Sequence, residues 1–284
     1  MMRQVTAPSS SISKSLPRHL NWLIDTKQRL KTADNKIVSV LEFRHQKNNE
    51  VLSEWAKHFR NHYCSDTDID ILRRGTSYTR AAFLTEIKFP DCSNKPGPSI
   101  RAGDFSEILV ADYIQYLLRY WVPRNRYCDK NNRNESPKGS DILGFKIVRK
   151  GQESARDVLV IYEVKSRFSG TKPYNRLQEA VTDSCKDVTR RAESLNAIKQ
   201  HLLDKKQNVY IPRVERFQDP IDHPYKEAWG AVALFSTACF SGDLICETDA
   251  SIHPGEDNLT LIVIHGRDMM KLVHDLYRRA ANEA

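Results

Sequence analysis

Val158–Arg167 reads VLVIYEVKSR. Six of its first seven residues are apolar, and Glu163 is the single charge among them. A strand with one solvated face alternates apolar and polar side chains. Here both alternating sets are apolar, so the stretch is expected to be a central strand covered on both faces. It then places Glu163 and Lys165 two residues apart, which points both to one face. A buried charge is costly unless it is paired or coordinated, so the pair needs a partner.

The nearest upstream strand candidate, SDILGFKIV, is separated from DVLVIYEVKSR by RKGQESAR, a charged, turn-like stretch containing Gly151. An antiparallel hairpin through this turn sets its own register. Asp141 and Glu163 are equidistant from Gln152 inside the turn, so Asp141 falls beside Glu163 within about a residue. Two carboxylates and an ammonium then converge at one rim of a sheet. Neighbouring carboxylates repel unless a hard cation such as Mg²⁺ lies between them. Such an ion polarises a phosphodiester oxygen and lowers the pKa of a bound water, while a lysine on the same face orients that water or neutralises developing charge. The ordinary reading of a Glu-x-Lys strand is a solvated cross-strand pair. The two-sided apolar character and the Asp141 register favour the site. Glu107 is the candidate third carboxylate. The stretch Asp104–Glu107, DFSE, also fits a helix capping box, and the two roles are compatible.

Around the hairpin the chain reads as alternating elements. KIVSVLEFRH is a strand candidate, and EVLSEWAKHFRNHYC is an amphipathic helix with Leu52, Trp55, Ala56 and Phe59 on one face. PDCSNKPGPSIRAG, with three prolines and two glycines, is the best linker. It divides the chain into an amino-terminal region, 1–99, expected to be a smaller α+β domain for regulation or partner docking, and a main domain, 100–284. The main domain opens with a helix, GDFSEILVADYIQYLLRYW. After the hairpin come a long helix from Asn175 through Lys206, the strands GAVALFSTACF and LTLIVIHG, and a closing helix, RDMMKLVHDLYRRAAN. The long helix carries Leu177, Ala180, Val181, Val188, Ala192, Leu195, Ile198 and Leu202 at threes and fours. The order describes a mixed α/β domain. The Ser-rich first 15 or so residues are expected to fray.

The combination GDFSEILVADYI, KGSDILGFKI and YEVKSR followed by a long helix resembles the PD-(D/E)xK nuclease superfamily. Within it, the chain is similar to the HamA/AbpA-like nucleases of the Hachiman anti-phage system, over roughly residues 100–284. The resemblance implies a restriction-endonuclease-like αβββαβ core and DNA hydrolysis with Mg²⁺, or Mn²⁺ in its place. It makes Glu107, Asp141 and Glu163 metal ligands and Lys165 the catalytic lysine, with Gln178 a further candidate on the long helix. It also implies a superfamily-two helicase subunit as heterodimer partner that restrains the nuclease until phage-related DNA is met. Ser140 stands where the superfamily name has proline. The first core strand should lie in YWVPRNRYC, a poor strand with Pro123 inside it.

Composition is consistent with this reading. The 284 residues are 40% hydrophobic and 28% charged, an ordinary globular balance. A formal charge of +8, from 44 basic and 36 acidic residues, makes an acidic partner such as DNA plausible without deciding it. Arg167 and Lys172, just past the site strand, are the candidate phosphate contacts. The basic side chains of the long helix (Lys186, Arg190, Arg191, Lys199, Lys205, Lys206) share it with acidic ones and read equally well as ordinary surface. No secretory signal or span of about 20 apolar residues is visible, and the six cysteines lack CxxC pairs. The expectation is a cytoplasmic protein with reduced thiols and no membrane contact. GSDILGFK lacks the Lys-Ser/Thr ending of a phosphate loop. Glu54, His58 and His62 recur every four residues and could bind zinc, but a solvated helix face is the simpler expectation. The alternative to an enzyme is a catalytically inactive DNA-binding or adaptor subunit of a helicase complex on the same scaffold.

Overall fold

The computed structural model describes residues 15–170 and 172–284, so the expected fraying of the Ser-rich start lies outside the described residues except at its last position. Six strands are described: β1 (Leu23–Lys31), β2 (Ile37–Phe43), β3 (Ile142–Lys146), β4 (Val158–Arg167), β5 (Lys226–Ser236) and β6 (Leu259–Gly266). Four helices do most of the packing: α1 (Asn49–Arg60), α4 (Gly97–Asp112), α5 (Arg176–Asp204) and α8 (Met269–Asn282). The others are single turns: α2 (Ile69–Leu72), α3 (Arg80–Phe83), α6 (Ile211–Glu215) and α7 (Gly242–Cys246).

The strands form one mixed sheet in the order β1-β2-β6-β5-β4-β3. β4, β5, β6 and β2 run parallel, and an antiparallel neighbour closes each edge. The buried part of β4, Leu159–Val164, splits by parity between two cores. Val160, Tyr162 and Val164 pack with Phe105, Leu109 and Leu276 of α4 and α8, a layer that α1 extends through Trp55 and Phe59. Leu159 and Ile161 pack with Leu195 and Ile198 of α5 on the opposite face. That two-sided cover is what the run of apolar residues in β4 requires. Gly230 of β5 is needed for the same layer, because a Cβ there would lie 2.1 Å from the Tyr162 ring.

The amino-terminal region departs from expectation. β2 pairs with β6, and α1 packs on α8, so one sheet and one helical layer run across the division expected near residue 100. The proline-rich stretch is no free linker: α4 begins inside it, at Gly97. Asp104 does not cap this helix. It is 1% exposed in the helix interior, bonded to Tyr63 and Lys130. The strand expected in YWVPRNRYC shrinks to one bridge, with Trp121 and Phe145 exchanging two 2.8 Å backbone bonds. Among the described residues no helix is long and apolar enough to cross a membrane.

Candidate active site

The hairpin register sets the centre. Ile142 pairs with Tyr162, so the residue before the first strand position, Asp141, comes level with Glu163. Gly139, at φ +90°, makes the turn that delivers Ser140 and Asp141 to this rim. Asp141 Oδ2 accepts from the Val164 amide at 2.9 Å. Glu163 and Lys165 follow Leu159 and Ile161 in parity and therefore face α5. Lys165 Nζ donates to Glu163 Oε1 and pairs with Asp183 of α5 at 2.7 Å. The three residues whose meeting the sequence predicts do gather at one rim.

Helix α5 closes the site with a gap in its apolar stripe. Its first turns bury Leu177, Ala180 and Val181, and its last bury Leu195, Ile198 and Leu202. Between them the inward positions are Ser184, Asp187 and Ser194, while Ala192, expected on the stripe, is exposed. Asp187 is fully buried, and neither carboxylate oxygen has a well-formed hydrogen bond, the Ser140 hydroxyl being its near polar neighbour. The Ser140 hydroxyl beside it bonds Ser194 Oγ at 3.0 Å. Sequence reading missed Asp187. The signal was a carboxylate at the helical phase of Ala180, Ser184 and Leu195, where an apolar residue belongs.

Glu107 is held apart from this group. It lies on α4, and the Arg126 guanidinium stands between it and Asp141, donating to Glu107 Oε2 at 3.0 Å and to Asp141 Oδ1 at 2.9 Å. Tyr127 OH adds a 2.6 Å bond to the same Glu107 oxygen. No motif or spacing marks Arg126 for this position. Gln178 exchanges hydrogen bonds with the Asp249 backbone and lines one recess together with Lys165 and Asp183. Arg167 ends β4 beside the Tyr174 ring, and Lys172 is exposed.

The electrostatics are those of crowded, poorly solvated anions. Burial and the neighbouring Glu163 charge push the Asp141 carboxyl up to about 7. Burial and Asp141 push Glu107 to about 7 as well. Burial raises Asp187 and Glu163 in the same direction. The Lys165 pKa is raised as well, but there the rise favours the charged form: although burial opposes its charge, Glu163 and Asp183 hold its pKa above the ordinary lysine value. Carboxylates outnumber the basic groups that touch them, and Asp187 is touched by none. Oxygen donors in excess suit a hard divalent cation, although among the described residues Asp141, Glu163 and Asp187 do not set three ligand atoms within 4.8 Å of one another, so an ion shared by all three would have to draw them together.

Fold and site together define a mixed α/β protein with a buried carboxylate–lysine centre at the rim of its sheet. A family model described as HamA matches residues 18–280, nearly the whole chain. The chain belongs to the HamA family, which associates it with Hachiman anti-phage defence. No curated protein matches it.

Proposed function

We propose that this chain is a Mg²⁺-dependent deoxyribonuclease, the nuclease subunit of a Hachiman defence complex under the control of a superfamily-two helicase. The observation that carries the reading is the meeting of Asp141, Glu163 and Lys165 under the buried carboxylate of Asp187. Helix α4, the Trp121–Phe145 bridge, β3, β4, α5 and β5 follow in the order of a restriction-endonuclease-like αβββαβ core, with the first strand reduced to the bridge. That order supports the superfamily reading.

Asp141, Glu163 and Asp187 would hold the metal, which when bound supplies charge neutralisation at the phosphodiester and a more acidic water. Lys165, fixed by Glu163 and Asp183, stays protonated and is placed to orient the attacking water or neutralise phosphorane charge. Val164 N–H anchors the Asp141 carboxylate. Arg167 and Lys172 lie beyond Lys165 along the chain and would meet backbone phosphates of the DNA.

One observation favours the adaptor alternative. Arg126 already neutralises Glu107 and Asp141, as a scaffold without metal would require. The test is incubation of plasmid DNA with the protein, alone and with its helicase partner, in Mg²⁺ and in EDTA. The nuclease reading expects cleavage in Mg²⁺ that EDTA stops and that Glu163→Gln or Lys165→Ala lowers by about a hundredfold or more, with helicase binding retained. Intact phage defence in both variants would instead establish the adaptor.

A further inference from the structure

The second helix face that the sequence marks is not solvated. His62, in the turn after α1, is buried and His58 of α1 half-buried, and both reach toward Asp112 at the end of α4, which is fully buried. His58 Nε2 lies 2.9 Å from Asp112 Oδ1 and 3.1 Å from Oδ2, while His62 Nε2 lies 3.4 Å from His58 Nε2. The two imidazoles meet edge to face, at 85°. Glu54, the third residue of the sequence pattern, points elsewhere and pairs with Arg18.

These three atoms cannot all be satisfied by one another. If His58 Nε2 carries its proton toward Asp112, that proton is unavailable to His62. If His62 Nε2 donates to His58 Nε2, the His58 lone pair faces the carboxylate. A ring nitrogen is either donor or acceptor, never both. With neutral rings one of the two contacts of His58 Nε2 is therefore unmet, a conflict that a cation held by both nitrogens and the carboxylate would remove. We propose that His58, His62 and Asp112 form a zinc site, independent of the carboxylate–lysine centre, that ties α1 to α4.

The spacing is close to that of such a site. Tetrahedral zinc with bonds of about 2.0–2.1 Å sets its ligand atoms about 3.3 Å apart; His58 Nε2 lies 2.9 Å from Asp112 and 3.4 Å from His62, and the third separation, His62 to Asp112, is within 4.8 Å. The outer contacts are those that orient a ligating carboxylate: His19 Nε2 on Oδ2 at 3.0 Å and Arg124 Nη2 on Oδ1 at 2.8 Å. Each oxygen has two lone pairs, so Arg124 leaves Oδ1 able to bind an ion. Directly after Asp112 the helix widens into a π turn, Tyr113–Leu117, a distortion frequent at functional sites. The outer side of His58 borders a surface recess with His19 and Tyr116, which gives the ion a way in and leaves a position for water.

Metal analysis of the full-length, tag-free protein tests this. About one equivalent of zinc after dialysis is expected, falling to a small fraction in a His58→Ala/His62→Ala double variant. Co²⁺ exchanged into the wild type should give the intense visible bands of a tetrahedral ion. In His62→Cys, which keeps a ligand and needs no cavity, the metal should stay and a sulfur-to-cobalt charge-transfer band should appear. A wild-type protein that takes up neither Zn²⁺ nor Co²⁺ overturns the site. So does unchanged stoichiometry in the double variant, or a His62→Cys protein with bound cobalt and no sulfur band. Loss of DNA cleavage by itself bears on the other centre, not on this one.

Discussion

Asp141 carries the clearest pH consequence of the site. Its folded carboxyl titrates at about 7 against a reference value of 3.8. A pKa raised on folding favours the protonated native state, so its contribution to stability is complete below about 4 and is lost as pH rises through about 7. Glu107, also near 7, acts in the same direction. Metal-free protein should therefore lose from this pair some of its melting temperature between pH 5 and pH 8, a window set by those values. Mg²⁺, which binds only the ionised carboxylates, should restore more at pH 8 than at pH 6. Thermal melts with and without Mg²⁺ check this. In Asp141→Asn both the extra pH slope and the Mg²⁺ increment should shrink, and a variant that retains the full increment would remove Asp141 from the ligand set. Arg126 yields a second residue-scale prediction. Arg126→Ala leaves Glu107 and Asp141 uncompensated, so metal-free stability should fall while Mg²⁺ affinity, measured by calorimetry, rises. Unchanged affinity would mean that the guanidinium does not compete with the ion.

Among the elements, α5 shows how stability and chemistry divide one helix. Leu195 and Ile198 at one end and Leu177 and Val181 at the other hold it to the sheet, and the polar middle gives up that packing. A buried carboxylate without a well-formed hydrogen bond costs about 1–3 kcal/mol or more. Asp187→Asn should therefore raise the metal-free melting temperature and weaken Mg²⁺ or Mn²⁺ binding together. A lower melting temperature with unchanged metal affinity would make Asp187 a structural acceptor. The same helix shows what a sequence can and cannot tell. Its existence and its apolar ends follow from spacing alone, as do β4, the hairpin register and the meeting of Asp141 with Glu163. The inward turn of Asp187 was hidden because acidic residues on a long helix usually face solvent. β1 was hidden for another reason. It is an edge strand with mostly exposed side chains, a bulge between Asp25 and Arg29, and Lys27 at φ 64°, so it lacks the alternation that marks a strand. Arg126 was invisible because its role depends on a loop folding back over two carboxylates distant in sequence.

For the molecule as a whole, the decisive pairing is β2 with β6. The proline-rich stretch invites a cut near residue 100, yet residues on its amino-terminal side complete both the sheet and one helical layer. Val38 and Val40 lie level with Leu261 and Val263 across the β2–β6 ladder, and all four are buried. On the helical side Trp55, Phe59 and Tyr63 are at most 1% exposed, with Phe59 and Tyr63 packed on Tyr277 of α8 and Trp55 on Phe105 of α4. A fragment of residues 100–284 would expose these partners and turn β6 into a long apolar edge, the kind that pairs with other chains. It should be insoluble or aggregate, and no Mg²⁺ or DNA binding should be recoverable from it. Size-exclusion chromatography and circular dichroism of the fragment make the check. A soluble monomer with a cooperative melt would mean that the amino-terminal region is a separable module after all. If the fragment fails as expected, any regulatory contact made by the amino-terminal region acts on the same folded unit as Asp141 and Glu163. Such a contact, made at α1, would reach the carboxylate–lysine centre through α4, whose Glu107 is linked to Asp141 by the Arg126 guanidinium.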